Sequence, residues 1–269
     1  MAKSVFITGA SSGLGKASAL LFASKGWDVI ATMRKPELEK ELTHFPNIQV
    51  FKLDVTNLIE IEDLVKTISS NKTPDVVFNN AGYGLAGPLE GTTDEQIQDE
   101  LNTNLLGVIR ITKAFIPYFR ERGSGLFITT TSIGGLVTFP FNSIYHATKW
   151  ALEGWSESMS FELSPYGIGI KTVSPGGIST DFAGRSLVLT HHPAYSKEIE
   201  KVMKVFMDPE RAQNASTADQ IAEIVFEAAT NGKDILRYLA GNDAKAAFQR
   251  RNKIGAEAFR MEIGKQFLG

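Results

Sequence analysis

Short apolar runs alternate along the chain with stretches in which apolar residues return every three or four positions, so the pattern reads as strand, turn and helix, repeated. Residues 4–8 form a buried strand, and residues 14–24 continue as a helix with Ala, Leu and Phe on one face. Residues 28–33 are a second strand, followed by a short helix that Pro36 opens at its first turn. Further strands are predicted at 47–53, 75–79, 126–131 and 169–174, with helices at 58–69 and 143–164. Residues 94–122 read as one long helical region in which Pro117 marks a bend or local break. A last helix–strand unit runs through 218–230 and 234–240. Such alternation predicts an α/β fold, a doubly wound parallel sheet with helices on both faces. No Pro-, Gly- or Ser-rich linker and no internal repeat divides residues 1–269, which read as a single domain. Only residues 182–214 break the rhythm, and they contain His191, His192, Pro193 and Pro209. An insertion after a strand's carboxyl end is where a substrate lid would lie.

The composition narrows the function classes. The chain is 43% hydrophobic and 22% charged with a formal net charge of −2, which offers no bulk positive field for nucleic acid or an anionic membrane. The basic cluster Arg250, Arg251 and Lys253 beside Glu257 reads as a solvated helix face. The absence of cysteine excludes disulfides, thiolate metal ligands and a cysteine nucleophile, and suits a reducing cytoplasm. The apolar stretch after Lys3 is too short for a secretory leader, and none spans a bilayer, so a soluble cytoplasmic protein is expected. The adjacent His191 and His192 lack other evident ligands and read as surface residues, with no metal site expected.

Thr8-Gly9-Ala10-Ser11-Ser12-Gly13-Leu14-Gly15 follows the first strand and opens the first helix. Glycines there let the backbone turn tightly against a pyrophosphate, while the helix N-terminus presents unpaired N–H groups. The second strand ends Met33-Arg34-Lys35 without a carboxylate. An acidic residue there would hydrogen-bond the 2′-hydroxyl of NAD, whereas a 2′-phosphate requires positive charge. Arg34 can grip a phosphate bidentately, with Ser11 and Ser12 as further donors, so NADP(H) is favoured. Glu37, which can swing back toward a ribose, keeps NAD(H) open as the alternative. Asp54 and Val55 after the third strand are placed around the adenine, and Asn79, Asn80, Ala81 and Gly82 after the fourth are placed near the adenosine ribose.

Of six tyrosines only Tyr145 has a lysine four residues later, Lys149, on the same helix face. A phenol has a pKa of ~10 in water and shuttles protons poorly near neutrality unless a cation stabilises phenolate; Lys149 and an oxidised nicotinamide can supply one. Ser132, just past a strand on the same sheet edge as the glycine turn, can hold a substrate oxygen beside the Tyr145 hydroxyl; Thr129, Thr130 and Thr131 precede it.

With these motifs in order, the chain resembles the short-chain dehydrogenase/reductase family in its shorter, single-domain form. The matches are Thr8-Gly-x-x-x-Gly-x-Gly15, Asn79-Asn-Ala-Gly82, Asn104 in Asn-Leu-Leu-Gly107, Ser132, Tyr145-x-x-x-Lys149 and Pro175-Gly-Gly-Ile-Ser-Thr180, covering residues 3 to about 240. The resemblance implies a Rossmann fold and a Ser132–Tyr145–Lys149 triad extended by Asn104. Ser132 would orient the carbonyl and Tyr145 would donate its proton. Lys149 would bind the nicotinamide ribose and depress the Tyr145 pKa, and Asn104 would hold a water linking Lys149 to solvent. Pro175, Gly176, Ile178 and Thr180 would surround the carboxamide, with Thr130 also at the cofactor. Arg at position 34 marks NADP(H)-preferring members, although the basic residue that some carry just before the second glycine is replaced here by Ser12.

The implied activity is interconversion of a ketone or aldehyde and an alcohol by a carbonyl reductase or alcohol dehydrogenase, on a small, hydrophobic substrate. Residues 79–90 are similar to members acting on hydroxysteroids, retinoids and assorted ketones, and Phe139, Phe141, Phe182 and Leu187 flank the expected site. The family also implies a homodimer or homotetramer built on the two long helices. An epimerase or dehydratase usually carries a longer carboxyl-terminal domain, and non-catalytic NADP(H)-binding regulators commonly lose the tyrosine or lysine retained here.

Overall fold

The computed structural model describes residues 2–178, 186–208 and 215–269. Strand β1 (Ser4–Thr8) is buried at every position, which explains why its sequence is a continuous apolar run rather than an alternating one. It lies between β2 (Asp28–Met33) and β4 (Val76–Asn79), with β3 (Ile48–Lys52) outside β2. Beyond β4 come β6 (Gly125–Thr130), β7 (Ile168–Pro175) and β9 (Arg237–Ala240). The order β3-β2-β1-β4-β6-β7-β9, parallel throughout, is the expected doubly wound, Rossmann-like sheet.

Each face has its own core. Helix α1 (Gly13–Ser24) and α7 (Ala218–Thr230) cover one face through Phe22, Ile221 and Val225, with Trp27 and Phe226 edge-on against Phe22. The other face is covered by α2 (Leu58–Asn71), α4 (Gly107–Arg122) and α5 (Ser143–Leu163), through Ile61, Ile111, Phe115, Phe119 and Leu163. A smaller cluster joins Ile133, Leu136 and Val137, just after β6, to Ala244 of α8 (Asn242–Ile254) and Phe259 of α9 (Ala256–Leu268).

Three expectations need correction. The long region 94–122 is interrupted at a different place: α3 (Asp94–Leu101) passes through a π-type turn, Asn102–Leu106, into α4, which continues through Pro117. Pro117 and Lys113, whose carbonyl loses its partner, are both exposed, so the missing hydrogen bond falls on the solvent side of the helix. The basic cluster near the carboxyl terminus is only partly a solvated face. Arg250 pairs with Glu262 at 2.8 Å, but Arg251 donates to the Leu136 carbonyl and stacks 4.9 Å over the Trp150 ring. The described part of residues 182–214 is regular: β8 (Leu187–Leu189) pairs in parallel with β5 (Gly84–Ala86), and Ser196–Phe206 forms α6. Strand β8 finds its partner a hundred residues away, which no local pattern displays. Among the described residues no helix is long and apolar enough to cross a membrane.

Candidate active site

The carboxyl ends of β1, β4, β6 and β7 bring the glycine turn, Asn79–Gly82, Thr130–Ser132 and Pro175–Ile178 to one edge of the sheet. In the glycine turn Gly9 has φ +68°, and a Cβ there would stand 2.8 Å from Ala81 Cα. At Gly15 a Cβ would meet the Gly9 carbonyl oxygen at 2.3 Å and Asn80 Nδ2 at 2.5 Å. Both glycines are therefore fixed by close backbone approach. Asn80 locks the turn from behind: its Nδ2 donates to the carbonyls of Thr8 (3.1 Å) and Gly9 (3.3 Å), and its Oδ1 accepts from the Thr130 hydroxyl (3.3 Å). The Thr8 hydroxyl accepts from the backbone N–H groups of Asn80 and Ala81, both at 3.0 Å. Thus the Asn80 side chain serves the scaffold, a role that its motif did not distinguish from direct contact.

Helix α1 starts at Ser12, whose side chain caps none of the first-turn amides, while Ser11 and Gly13 are exposed and Leu14 is buried beneath. Uncapped N–H groups at a helix start are receptive to an anion. Arg34, just past β2, is exposed, and among the described residues it has no ion-pair partner. Glu39 is held by Lys16 at 3.2 Å and by the N–H groups of Glu41 (2.8 Å) and Leu42 (3.0 Å). Glu37 lies in the exposed one-turn helix Pro36–Leu38. Asp54 Oδ1 accepts from its own loop, from Thr56 N (2.9 Å) and Thr56 Oγ1 (2.7 Å), and Val55 is buried against α4. These residues can hold a dinucleotide, with Arg34 placed at its adenosine end.

The sequence-predicted quartet converges. Ser132 is buried, its Oγ accepts the Gly134 N–H at 2.9 Å, and its hydroxyl is near enough to that of Tyr145 to act on the phenol. Lys149, one turn along α5, is 6% exposed; its Nζ lies 5.8 Å from the Tyr145 ring centroid and donates to the Thr130 carbonyl at 2.9 Å. Asn104 sits in the π-type turn, with Oδ1 accepting from Tyr83 N (3.0 Å) and Nδ2 donating to Tyr83 O (2.7 Å). The electrostatics differ from expectation. Burial pushes the Tyr145 phenol up to about 12, with the nearby Ser132 hydroxyl pulling it down and the Glu100 carboxyl adding to the rise. Burial likewise lowers the Lys149 ammonium to about 8, opposed by Glu100 and Glu153. The phenol is therefore raised rather than depressed, against the role expected of Lys149.

Four further residues shape the site and escaped sequence reading. Glu100 is fully buried and accepts from Leu85 N (3.0 Å) and Asn104 Nδ2 (3.3 Å). His146, next to Tyr145, accepts the Phe139 N–H on Nε2 at 2.9 Å, so its Nδ1 carries the proton donated to the Gly134 carbonyl at 2.6 Å. Burial lowers its pKa, and the neutral ring clamps the segment carrying Ser132. Glu153, one turn past Lys149, accepts from Thr131, Ser174 and Thr172 and pairs with Arg237 at 2.7 Å, binding α5 to three strands. Asp243 accepts the Gly177 N–H at 2.7 Å, and its carboxylate fills the space where a Gly176 Cβ would stand. It thereby fixes the Pro175–Gly176–Gly177 loop, whose Ile178 bridges to Ser216. Only the spacing of Glu153 from Lys149, one further helical turn, hinted at any of them. Thr180 and Phe182 lie outside the described residues.

Phe139 stands 6.0 Å from the His146 ring and 6.1 and 5.9 Å from Phe206 and Phe267, joining the site to α6 and to the last helix. Phe141 takes the left-handed φ of +59°, its carbonyl accepts the Gly87 N–H at 2.7 Å, and its ring meets Tyr195 edge-on. Leu187 is half-buried in β8 beside Gly84.

Comparison with known proteins agrees with this geometry. The sequence model of the short chain dehydrogenase family matches residues 3–187. An uncharacterized oxidoreductase of Schizosaccharomyces pombe is 36% identical over 235 residues, covering 87% of this chain and 99% of that protein. A short-chain dehydrogenase structure from Streptomyces avermitilis superimposes with a TM-score of 0.86 at 30% identity, covering 98% of this chain and 95% of that one. The structure of ElxO with NADP bound follows at a TM-score of 0.77 and 28% identity, covering 91% and 100%. The chain thus belongs to the short-chain dehydrogenase family and is an oxidoreductase.

Proposed function

We propose that this chain is a single-domain, NADP(H)-dependent carbonyl reductase and alcohol dehydrogenase in which Tyr145 passes the proton. The observation carrying the reading is the convergence of Ser132, Tyr145 and a buried Lys149 on the sheet edge that also holds the glycine turn. The residues fit the cofactor. The turn is too tight for a Cβ at Gly9 or Gly15, the α1 amides lack a side-chain cap, and Arg34 is free to meet a 2′-phosphate. The NADP-bound state of ElxO supports the same choice.

When bound, the reduced nicotinamide supplies the hydride. Ser132 holds the substrate oxygen, its Oγ already oriented by the Gly134 N–H. Tyr145 delivers a proton to that oxygen, and a phenol near 12 in the free protein is in the protonated state that reduction requires. Lys149 would hold the ribose hydroxyls and, with the charge of an oxidised ring, would stabilise phenolate for the reverse direction. The aromatic cluster of Phe139, Phe206 and Phe267, which meets the site through His146, supports a hydrophobic ketone or secondary alcohol, with residues 182–214 as its lid. Self-association through α4 and α5 is supported by Phe161, which α5 leaves 72% exposed.

The test is a panel of apolar ketones, from cyclic to long-chain, offered with NADPH and with NADH. Saturable NADPH consumption with at least one ketone, and a higher kcat/KM for NADPH than for NADH, is the expected result. Tight NADPH binding without turnover on any member would make the chain a non-catalytic binder.

A further inference from the structure

Helix α3 carries four carboxylates, of which Asp94, Glu95 and Asp99 are exposed, as its polar sequence leads one to expect. Glu100 is instead wholly buried, and burying a carboxyl is costly unless its oxygens are satisfied. Oε1 accepts two hydrogen bonds, from Leu85 N at 3.0 Å and from Asn104 Nδ2 at 3.3 Å. Oε2 is equally enclosed and has no hydrogen-bond partner among the described residues.

Lys149 presents the complementary problem. Its buried ammonium donates to one neutral acceptor, the Thr130 carbonyl, and an enclosed cation needs a counter-charge. A single point beside Gly82, where a Cβ would stand, lies 3.0 Å from Asn104 Oδ1 and 3.8 Å from Lys149 Nζ, so Asn104 bridges the space between the two charged groups. Two carboxylates act electrostatically on Lys149, Glu100 and Glu153. Glu153 is already committed to Arg237 at 2.7 Å and to the hydroxyls of Thr131, Ser174 and Thr172. Glu100, whose Oε1 takes only neutral donors and whose Oε2 takes none among the described residues, has no cation of its own.

We propose that Glu100 is a positioning residue of the reaction centre: its carboxyl fixes the Asn104 amide and serves as the buried counter-charge of Lys149. Its consequence for turnover rests on the reductase reading above. The ionisable groups around it are Lys149, Tyr145 and Glu153 from α5 and Tyr83 from the loop after β4, with Asp99 and Arg34 acting on Tyr83 from outside. Burial pushes Glu100 up to about 8, against the pull of the Leu85 N–H and of Lys149, so the carboxylate forms as the medium turns alkaline. Once formed, it holds Lys149 as ammonium and disfavours phenolate at Tyr145. Glu100→Gln, which keeps shape and an acceptor for Leu85 N, should therefore let both groups lose their protons at lower pH.

The experiment follows side-chain ionisation in the whole protein by NMR, with alcohol oxidation measured in parallel. The Lys149 side-chain nitrogen signal, assigned by its loss in Lys149→Met, is titrated with and without Glu100→Gln. Its midpoint should fall by about one pH unit, the order expected for unit charges interacting at an effective dielectric near 20. Reciprocally, Lys149→Met should raise the midpoint of the Glu100 carboxyl signal by a comparable amount, a result available even if Glu100→Gln does not fold. In alcohol oxidation the rising alkaline limb should move to lower pH in Glu100→Gln and return in Glu100→Asp. Unmoved midpoints in both titrations would overturn the proposal, as would an unmoved alkaline limb in an active Glu100→Gln enzyme. A parent protein inactive on every ketone but showing both midpoint shifts would sink the reductase reading while upholding the charge pair.

Discussion

Tyr145→Phe should lower turnover on any ketone the parent protein reduces by ~10²- to 10⁴-fold, the usual contribution of a positioned general acid. The substitution removes one hydroxyl from a half-buried side chain and leaves the ring, so packing against His146 at 6.0 Å between centroids persists. Ser132 keeps the Gly134 N–H as a partner, so the substitution should cost little stability. NADPH affinity, carried by the glycine turn and the β2 end, should change little. The deficit should therefore appear in kcat rather than in cofactor binding, measured by initial rates together with quenching of protein fluorescence by NADPH. A Phe variant with kcat near the parent value would remove Tyr145 from the chemistry.

The second large effect concerns the choice of cofactor. Arg34→Asp should weaken NADPH binding much more than NADH binding. A charge-assisted hydrogen bond contributes about 1.5–3 kcal/mol, so its loss alone should cost roughly 10- to 150-fold at 1.4 kcal/mol per decade. The new carboxylate adds repulsion against a 2′-phosphate and can accept the ribose hydroxyls of NADH. No described acidic side chain competes for Arg34, because Glu39 is turned toward Lys16 and two backbone amides. Added salt should weaken NADPH binding by the parent protein more than NADH binding, since Arg34 is exposed and its ion pair is screened. Titrations of both cofactors at two ionic strengths check the claim; equal losses for both in Arg34→Asp would reduce Arg34 to an ordinary surface charge.

What the sequence displays well is local. β1 and β2 begin and end where their apolar runs do, and α7 starts and stops as expected, because a capping box at Thr217 and Gln220 marks its start. The quartet Asn104, Ser132, Tyr145 and Lys149 was legible because three of its members follow a strand end or share one helix face, and the structure brings all four together. What stayed hidden depends on partners distant in sequence. Glu100 looks like another solvated acid of a polar helix until β5 brings Leu85 N to it from fifteen residues away. The π-type turn at Asn102–Leu106 leaves no compositional mark, whereas Pro117 does and proves harmless on a solvent-facing surface. The sign of the Tyr145 shift was also out of reach, since desolvation by the assembled site, not the neighbouring Lys149, dominates the phenol of the free protein.

The pairing of Tyr145 with Ser132, and the cofactor reading at Arg34, meet in one reaction. The most direct measurement supplies NADPH deuterated at the transferable C4 position, together with a ketone from the panel, and locates the label in the alcohol by mass spectrometry. The account predicts one deuterium on the carbinol carbon, formed by the parent protein and reduced ~10²-fold or more with Tyr145→Phe. Alcohol formed without deuterium at that carbon, or label transferred equally well by the Phe variant, would contradict it.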